Sequence, residues 1–339
     1  MDEKIRIVVD AMGGDNAPEA PVHGAVDALA ENDKIELTLV GRTPDIEAEL
    51  AKYSYDKDRV HIVHAEDVIG FDEPPVEAIR KKKDSSIVVG MKLVKKGEAD
   101  AFVSAGSTGA ILVGGQLVVG RIRGVERAPL APLIPTTEGV SLLIDCGANV
   151  DAKPSNLVQF AQMGSIYMEN ALKIERPTVG ILNIGAEEEK GNALVKETYP
   201  LLKECKDINF IGSVEARDFI YGAADVVVTE AFAGNVMLKT IEGVASGLFK
   251  LIKNSITATP VSTIGAALVK PQLKNVAKIF DATEYGGAPL LGLNGLVVKI
   301  HGNASHKEVK NALFQVEMFR SQDVNGKIRE QLSDVQKEA

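Results

Sequence analysis

The feature that most constrains this chain is a repeated construction: a short aliphatic run, a loop of small or polar residues, then a helical pattern. The runs fall at 5–9, 36–40, 59–63, 101–103, 140–145, 179–184, 208–211 and 225–228. Strands alternating with helical segments imply parallel pairing through crossover helices. The run 179–184, Val-Gly-Ile-Leu-Asn-Ile, lacks strict polar alternation and reads as a strand buried on both faces. We therefore expect an α/β fold, doubly wound and Rossmann-like around a mostly parallel sheet. Such sheets bind ligands at the carboxyl ends of their strands, and the polar loops of this chain fall there.

Five of these loops carry candidate chemistry. Asp10-Ala-Met-Gly13-Gly14-Asp15 follows the first run, and its paired glycines permit positive φ or close approach to a ligand. Ser104-Ala-Gly106-Ser107-Thr108-Gly109 sets hydroxyls and amides at a helix N-terminus, an anion cradle or simply a small-residue packing turn. Gly147-Ala-Asn149-Val-Asp151-Ala-Lys153 follows the run at 140–145. Gly185 ends the run at 179–184, then Glu187, Glu188 and Glu189 precede Lys190, where a helix opens. This reads either as an anion site or as a solvated charged turn. Thr229-Glu230-Ala-Phe-Ala-Gly234-Asn235 follows the last run.

Several function classes are excluded. A net charge of −9, no Trp and 5% aromatic residues argue against nucleic-acid binding. Cys146 and Cys205 are the only cysteines, with no CxxC spacing, so neither a disulfide framework nor a zinc-thiolate site is expected. Cys146 has no histidine nearby in sequence to activate it and reads as a small buried residue. His61 and His64 stand three apart at a strand end, where their side chains face opposite ways, so no metal is expected. The chain lacks the P-loop, the GxGxxG dinucleotide fingerprint and the GxSxG elbow. No cofactor is expected. With no leader-like start and no bilayer-length apolar run, a cytoplasmic, at most membrane-peripheral, protein is expected. The remaining inventory of amides, hydroxyls and a lysine suits positioning an oxyanion. Phosphate dianion is already a nucleophile and needs orientation more than activation.

The segment 243–280 breaks the rhythm. It contains no Asp or Glu but carries Lys250, Lys253, Lys270, Lys274 and Lys278. Ile241, Val244, Ala245, Leu248, Phe249 and Ile252 recur at helical spacing, and after Pro260 a second helix carries Ile264 and Leu268. Pro271 is expected to interrupt or kink it. Ile256 and Val261 mark the tip. The reading is a basic amphipathic helical hairpin over 243–280, contacting an anionic membrane or a partner subunit, with 1–242 and 281–339 forming one α/β catalytic core. Near such a membrane each lysine contributes about 1 kcal/mol.

Taken in order, the loops at 10–15, 104–110, 147–154, 183–192, 212–218 and 233–236 resemble those of the bacterial phosphate acyltransferase (PlsX) family over essentially the whole chain. The resemblance implies a fold akin to phosphotransacetylases and isocitrate-type dehydrogenases. It implies that inorganic phosphate attacks the thioester of acyl-acyl carrier protein, giving acyl phosphate for phospholipid synthesis. It further implies a homodimer associated peripherally with the inner face of the membrane. Resemblance and chemistry together point to Lys190 and Asn235 as the catalytic pair. Lys190 would meet the phosphate and the charge developing on the thioester oxygen, and Asn235 would donate a hydrogen bond. Asp10, Gly13, Gly14, Asp15, Ser104, Gly106, Ser107, Thr108, Gly109, Asn149, Asp151, Lys153, Gly185 and Gly234 would bind or brace substrate. The acidic run beside Lys190 would repel phosphate unless it turns away or pairs with basic groups.

Acyl carrier protein is acidic, so Arg80, Lys81, Lys82, Lys83, Arg121, Arg123 and Arg127 are candidate docking cations, with a solvated helix end the alternative for the first four. An acyl-CoA-dependent phosphotransacetylase and a non-catalytic membrane scaffold are the competing readings.

Overall fold

The computed structural model describes residues 4–279 and 282–334. The segment ends expected at 1, 280, 281 and 339 lie outside the described residues. In chain order the strands are β1 (Ile5–Asp10), β2 (Ile35–Gly41), β3 (Val60–His64), β4 (Ala101–Ser104), β5 (Leu133–Thr136) and β6 (Gly139–Ile144). They continue with β7 (Thr178–Asn183), β8 (Asn209–Glu215), β9 (Val226–Val228), β10 (Ala288–Leu290) and β11 (Leu296–Lys299). The helices are α1 (Glu19–Glu31), α2 (Thr43–Leu50), α3 (Pro75–Lys81), α4 (Ser86–Lys95), α5 (Thr108–Gly114) and α6 (Pro154–Ala171). They continue with α7 (Ala193–Glu204), α8 (Ala216–Phe219), α9 (Ala231–Ile256), α10 (Pro260–Ile279), α11 (His306–Ser321) and α12 (Val324–Asp334).

The chain divides into two compact units: Met1–Pro132 with Ile166–Glu175 and Tyr285–Ala339, and Leu133–Ser165 with Arg176–Glu284. Hydrophobic periodicity does not say which strands pair, so it cannot divide 1–242 in this way.

The first unit holds the sheet β10-β11-β4-β1-β2-β3, parallel except for the edge strand β10. Ile7, Val8 and Val9 are buried whichever face they point to, as helix-covered parallel strands require. Each such side chain contributes roughly 1.5–3 kcal/mol on full burial. Helix α1 turns Val22, Ala25, Val26 and Leu29 inward and lies along α11, whose start is fixed by a capping box between Ser305 and Glu308. Ser85 caps α4 through its hydroxyl, and Gly90 on that helix lies where a Cβ would come within 2.5 Å of the Phe102 ring.

The second unit holds the sheet β5-β6-β9-β7-β8, again parallel except at one edge, β5. Its central strand β9 is Val226-Val227-Val228, all fully buried. A core of Leu143, Cys146, Phe219 and Met237 lies against it. Within the run expected at 179–184 one residue departs from expectation. Ile184 falls just past β7 and is 81% exposed, because Asn183 already closes the strand through its side chain. Pro271 neither ends nor divides α10, which continues through it.

Candidate active site

In the first unit the carboxyl ends of β1, β4 and β11 are neighbours, so three loops meet. Asp10, the last residue of β1, is buried and accepts hydrogen bonds from Ser104 Oγ at 2.7 Å and the Met12 amide at 3.1 Å. Burial pushes its carboxyl above the usual carboxylate range; bonds from Ser104, Ser86 and the Met12 and Gly13 amides oppose that shift. Ser104 Oγ in turn accepts from the Gly106 amide at 2.9 Å. Gly13 is required by closeness: a Cβ there would lie 2.4 Å from Asp10 Oδ2 and 2.8 Å from the Gly106 nitrogen. Gly14 has φ +98° and lies against Ala105 and the Gly302 carbonyl, to which the Asp15 amide donates at 2.7 Å. Ser107 caps α5 by accepting from Ala110, Thr108 is exposed, and Gly109 lies against Pro75. All nine substrate-loop residues expected here are thus brought to one sheet edge.

In the second unit β6, β9 and β7 are adjacent, which lines up the segments that follow them, carrying Asn149, Asn235 and Lys190. The loop after β6 is organised by Asp145, a buried carboxylate that accepts from the Ala148 amide, the Asn149 amide and Asn149 Nδ2 at 3.1, 2.8 and 2.7 Å. Asn149 is buried, while Asp151 and Lys153 are exposed. After β7, Asn183 Nδ2 donates to the Lys190 carbonyl at 3.2 Å and to Ser213 Oγ at 3.0 Å, folding the 184–191 loop back on itself. Gly185 lies under the Lys190 side chain, and Asn192 caps α7.

The half-exposed ammonium of Lys190 is 2.7 Å from Glu187 Oε2. That bond raises the lysine's pKa and lowers the glutamate's, so the lysine stays protonated. Glu188 pairs with Lys203 at 3.0 Å. Two of the three acidic residues are therefore matched to cations. Asn235 is exposed near the start of α9 rather than on a loop, and Gly234 before it touches the Asp145 backbone.

The sequence of this chain matches a known family. A model of a fatty acid synthesis protein family covers residues 5–327, and the phosphate acyltransferase of Clostridium acetobutylicum is 48% identical over 97% of this chain and 99% of its own. The chain belongs to the phosphate acyltransferase family. The phosphate acyltransferase of Alkaliphilus oremlandii is 50% identical over 98% of each chain. Among solved structures, EutD phosphotransacetylase from Staphylococcus aureus has a TM-score of 0.59 at 18% identity, covering 94% of both chains. A branched-chain phosphotransacylase from Enterococcus faecalis has a TM-score of 0.55 at 15% identity, covering 93% of this chain and 98% of its own. At those identities the likeness is one of fold. The protein is an acyltransferase enzyme.

Elsewhere in the second unit, Cys146 is buried, its Sγ 3.5 Å from the Leu143 carbonyl. Burial, and then the neighbouring Asp145, push its thiol well above the usual range, so it carries no nucleophilic thiolate at neutral pH. Of the basic residues on and after α3, Lys81 pairs with Glu77 at 2.7 Å. Lys82 turns inward, donating to Glu73 at 2.7 Å and to the Val68 carbonyl at 2.8 Å, which makes it a brace of its own loop. Arg80, Lys83, Arg123 and Arg127 are exposed, and Arg121 donates to the Glu126 carbonyl.

On α9 and α10, Lys250 and Lys253 are exposed, as are Val261, Ile264 and Leu268 at 81%, 68% and 76%. Ile256, expected at the open tip, is half-buried. Among the described residues no helix is long and apolar enough to cross a membrane.

Two functional supports escaped the sequence. Asp145 repeats the pattern of Asp10, a carboxylate closing a buried strand, and that pattern was available to find it. Glu230 accepts from the Phe232 and Ala233 amides at 2.6 and 2.8 Å and so occupies the N-terminus of α9. His23, Asp27 and His306, on α1 and α11, are the one cluster among the described residues close enough to share a metal ion.

Proposed function

We propose that this acyltransferase moves the acyl group of acyl-acyl carrier protein onto inorganic phosphate, supplying acyl phosphate for phospholipid synthesis. The observation that carries the reading is the strand order β6-β9-β7, which ranks the segments carrying Asn149, Asn235 and Lys190 side by side on one sheet edge. A phosphate oxygen attacks the thioester carbonyl carbon, the carbonyl π electrons move onto oxygen, and their return expels the carrier thiolate. The thiolate takes a proton from solvent or phosphate. Lys190 supplies positive charge to the incoming phosphate and to the transient oxyanion. The Asn235 amide donates to the same oxygen. Preorganised donors of this kind are worth most where charge develops. In the first unit the Ser104–Gly109 turn, held by Asp10, offers hydroxyls and amides to a phosphoryl group.

The acidic carrier would dock on Arg80, Lys83, Arg123 and Arg127, exposed members of the basic set. The α9–α10 pair, with exposed Val261, Ile264 and Leu268 among lysines, would rest on an anionic bilayer in a homodimeric enzyme.

The test is release of thiol from palmitoyl-acyl carrier protein with and without phosphate, trapping the product with hydroxylamine. Phosphate-dependent release with hydroxamate formation supports the reading. Release from acyl-CoA but not from the carrier would assign the thioester to coenzyme A instead.

A further inference from the structure

The first unit gathers three metal-ligating side chains that the transfer reaction does not use. His23 and Asp27 are four residues apart on α1 and share one face. His306 is the first residue of α11. The two helices approach closely because residue 24 is glycine: a Cβ there would lie 2.4 Å from the His306 carbonyl oxygen and 2.6 Å from Val309 Cβ. That approach stacks the His306 ring on the His23 ring, with centroids 4.0 Å apart and planes 10° apart. Tyr53 also stacks on His23, at 4.7 Å, so the ring is held before any ligand arrives. Asp27 faces both imidazoles, 2.8 Å from His306 Nδ1 and 3.6 Å from His23 Nε2. The donor atoms of all three residues lie within 4.8 Å of one another.

We propose that His23, Asp27 and His306 bind a divalent transition-metal ion, zinc being the best match to the donor set. Two imidazoles and one carboxylate suit zinc in four-coordinate geometry, with water in the fourth position. Calcium and magnesium want more oxygen donors than one carboxylate provides. With bonds of about 2.1 Å, tetrahedral donors stand roughly 3.4 Å apart. The His306–Asp27 Oδ2 pair therefore opens by about 0.6 Å as the ion replaces the shared hydrogen, and the two imidazoles, parallel in the stack, must tilt so that their in-plane lone pairs converge on the ion. All three side chains reach solvent, so these adjustments and the entry of the ion meet no buried obstacle.

The ion would act as a clamp. The turn before α11 already holds the loop before α1: the Asp15 amide donates to the Gly302 carbonyl, and Asn16 Nδ2 donates to the carbonyls of Asn303 and Ala304 at 3.0 and 3.1 Å. Tying His306 to α1 fixes the two helices that lead away from those loops, and with them the Asp10–Asp15 segment.

The experiment uses the full chain without a histidine tag, titrated with Co²⁺ and followed by visible absorption, with Zn²⁺ as competitor. One ion per chain with the intense d–d bands of a four-coordinate site is expected, displaced by zinc. His306→Ala and Asp27→Asn should each weaken binding at least tenfold and abolish the rise in thermal midpoint that zinc gives the wild type. His306→Ala leaves the Ser305–Glu308 capping box in place, so it tests the ligand without removing the helix start. His64→Ala, which removes an exposed imidazole beside Glu66, should change neither readout. Failure of the wild type to bind one ion saturably overturns the proposal, as does binding that survives in both ligand variants.

Discussion

Gly234→Ala tests how closely the Asn235 amide must be held. An ideal Cβ at residue 234 would lie 2.0 Å from the Asp145 carbonyl oxygen, 3.0 Å from its carbon and 3.0 Å from Thr229 Cγ2. Neither backbone neighbour can retreat freely. The Asp145 amide is bonded to the Thr229 carbonyl at 3.0 Å, and the Thr229 amide to the Ile144 carbonyl at 2.7 Å. Carbon and oxygen need about 3.3 Å, so the first turn of α9 must back away by roughly 1 Å, carrying Asn235 with it. A displacement of that size costs about 10²-fold in rate. Stability should change less, because overpacking costs about 1–3 kcal/mol while alanine regains about 1 kcal/mol of helix propensity. We expect kcat for phosphate-dependent thiol release to fall about a hundredfold, with a thermal midpoint within a few degrees of wild type. Gly243→Ala, on the same helix with nothing within 4 Å of its Cβ position, is the control and should keep full activity. Wild-type kcat in Gly234→Ala would refute the reasoning.

Other expectations follow from the same geometry. Lys190→Ala and Asn235→Ala should each lower kcat by about 10²–10³ with unchanged far-ultraviolet circular dichroism; near-normal turnover would remove the residue from the mechanism. Glu187→Gln releases Lys190 from its internal counter-ion, and KM for phosphate should fall about two- to fivefold at constant kcat, as befits an exposed pair. An unchanged KM would mean that phosphate never meets that ammonium. Tyr167 is fully buried between Phe319 and Gln315, and burial raises its pKa far above the ordinary value of 10.0. A raised native pKa means that its contribution is intact below about pH 10 and is lost as pH rises, at about 1.4 kcal/mol per unit, because only the unfolded chain ionises. Urea midpoints between about pH 10 and 11 should therefore drop more steeply in wild type than in Tyr167→Phe; equal slopes would contradict this.

The strands with uninterrupted aliphatic runs were legible from residues alone. The observed β1, β2, β6, β7 and β9 fall within a residue or two of the expected runs. The strands that went unseen have physical reasons for it. β5 and β10 are short, antiparallel and at sheet edges, and each contains a proline, Pro135 and Pro289, a residue that edge strands tolerate. β11 is a four-residue run whose meaning depends on pairing with the distant β4. Lys190, Asn149 and the glycine loops announced themselves by position after a strand. What the sequence could not reveal was pairing at a distance: which glutamates neutralise Lys190, that Lys82 is spent on Glu73, or that His306 stacks on His23.

Helix α9 runs unbroken from Ala231 to Ile256. Asn235 near its start and Ile256 at its end are thus separated by about 30 Å of rod. The rod is wedged at Gly234, only one residue from the amide. A sideways push of 1 Å at the far end turns the axis by about 2°, and at Asn235, so near the pivot, the movement is about 0.1 Å. The far end of the rod can therefore be displaced while the amide keeps its aim.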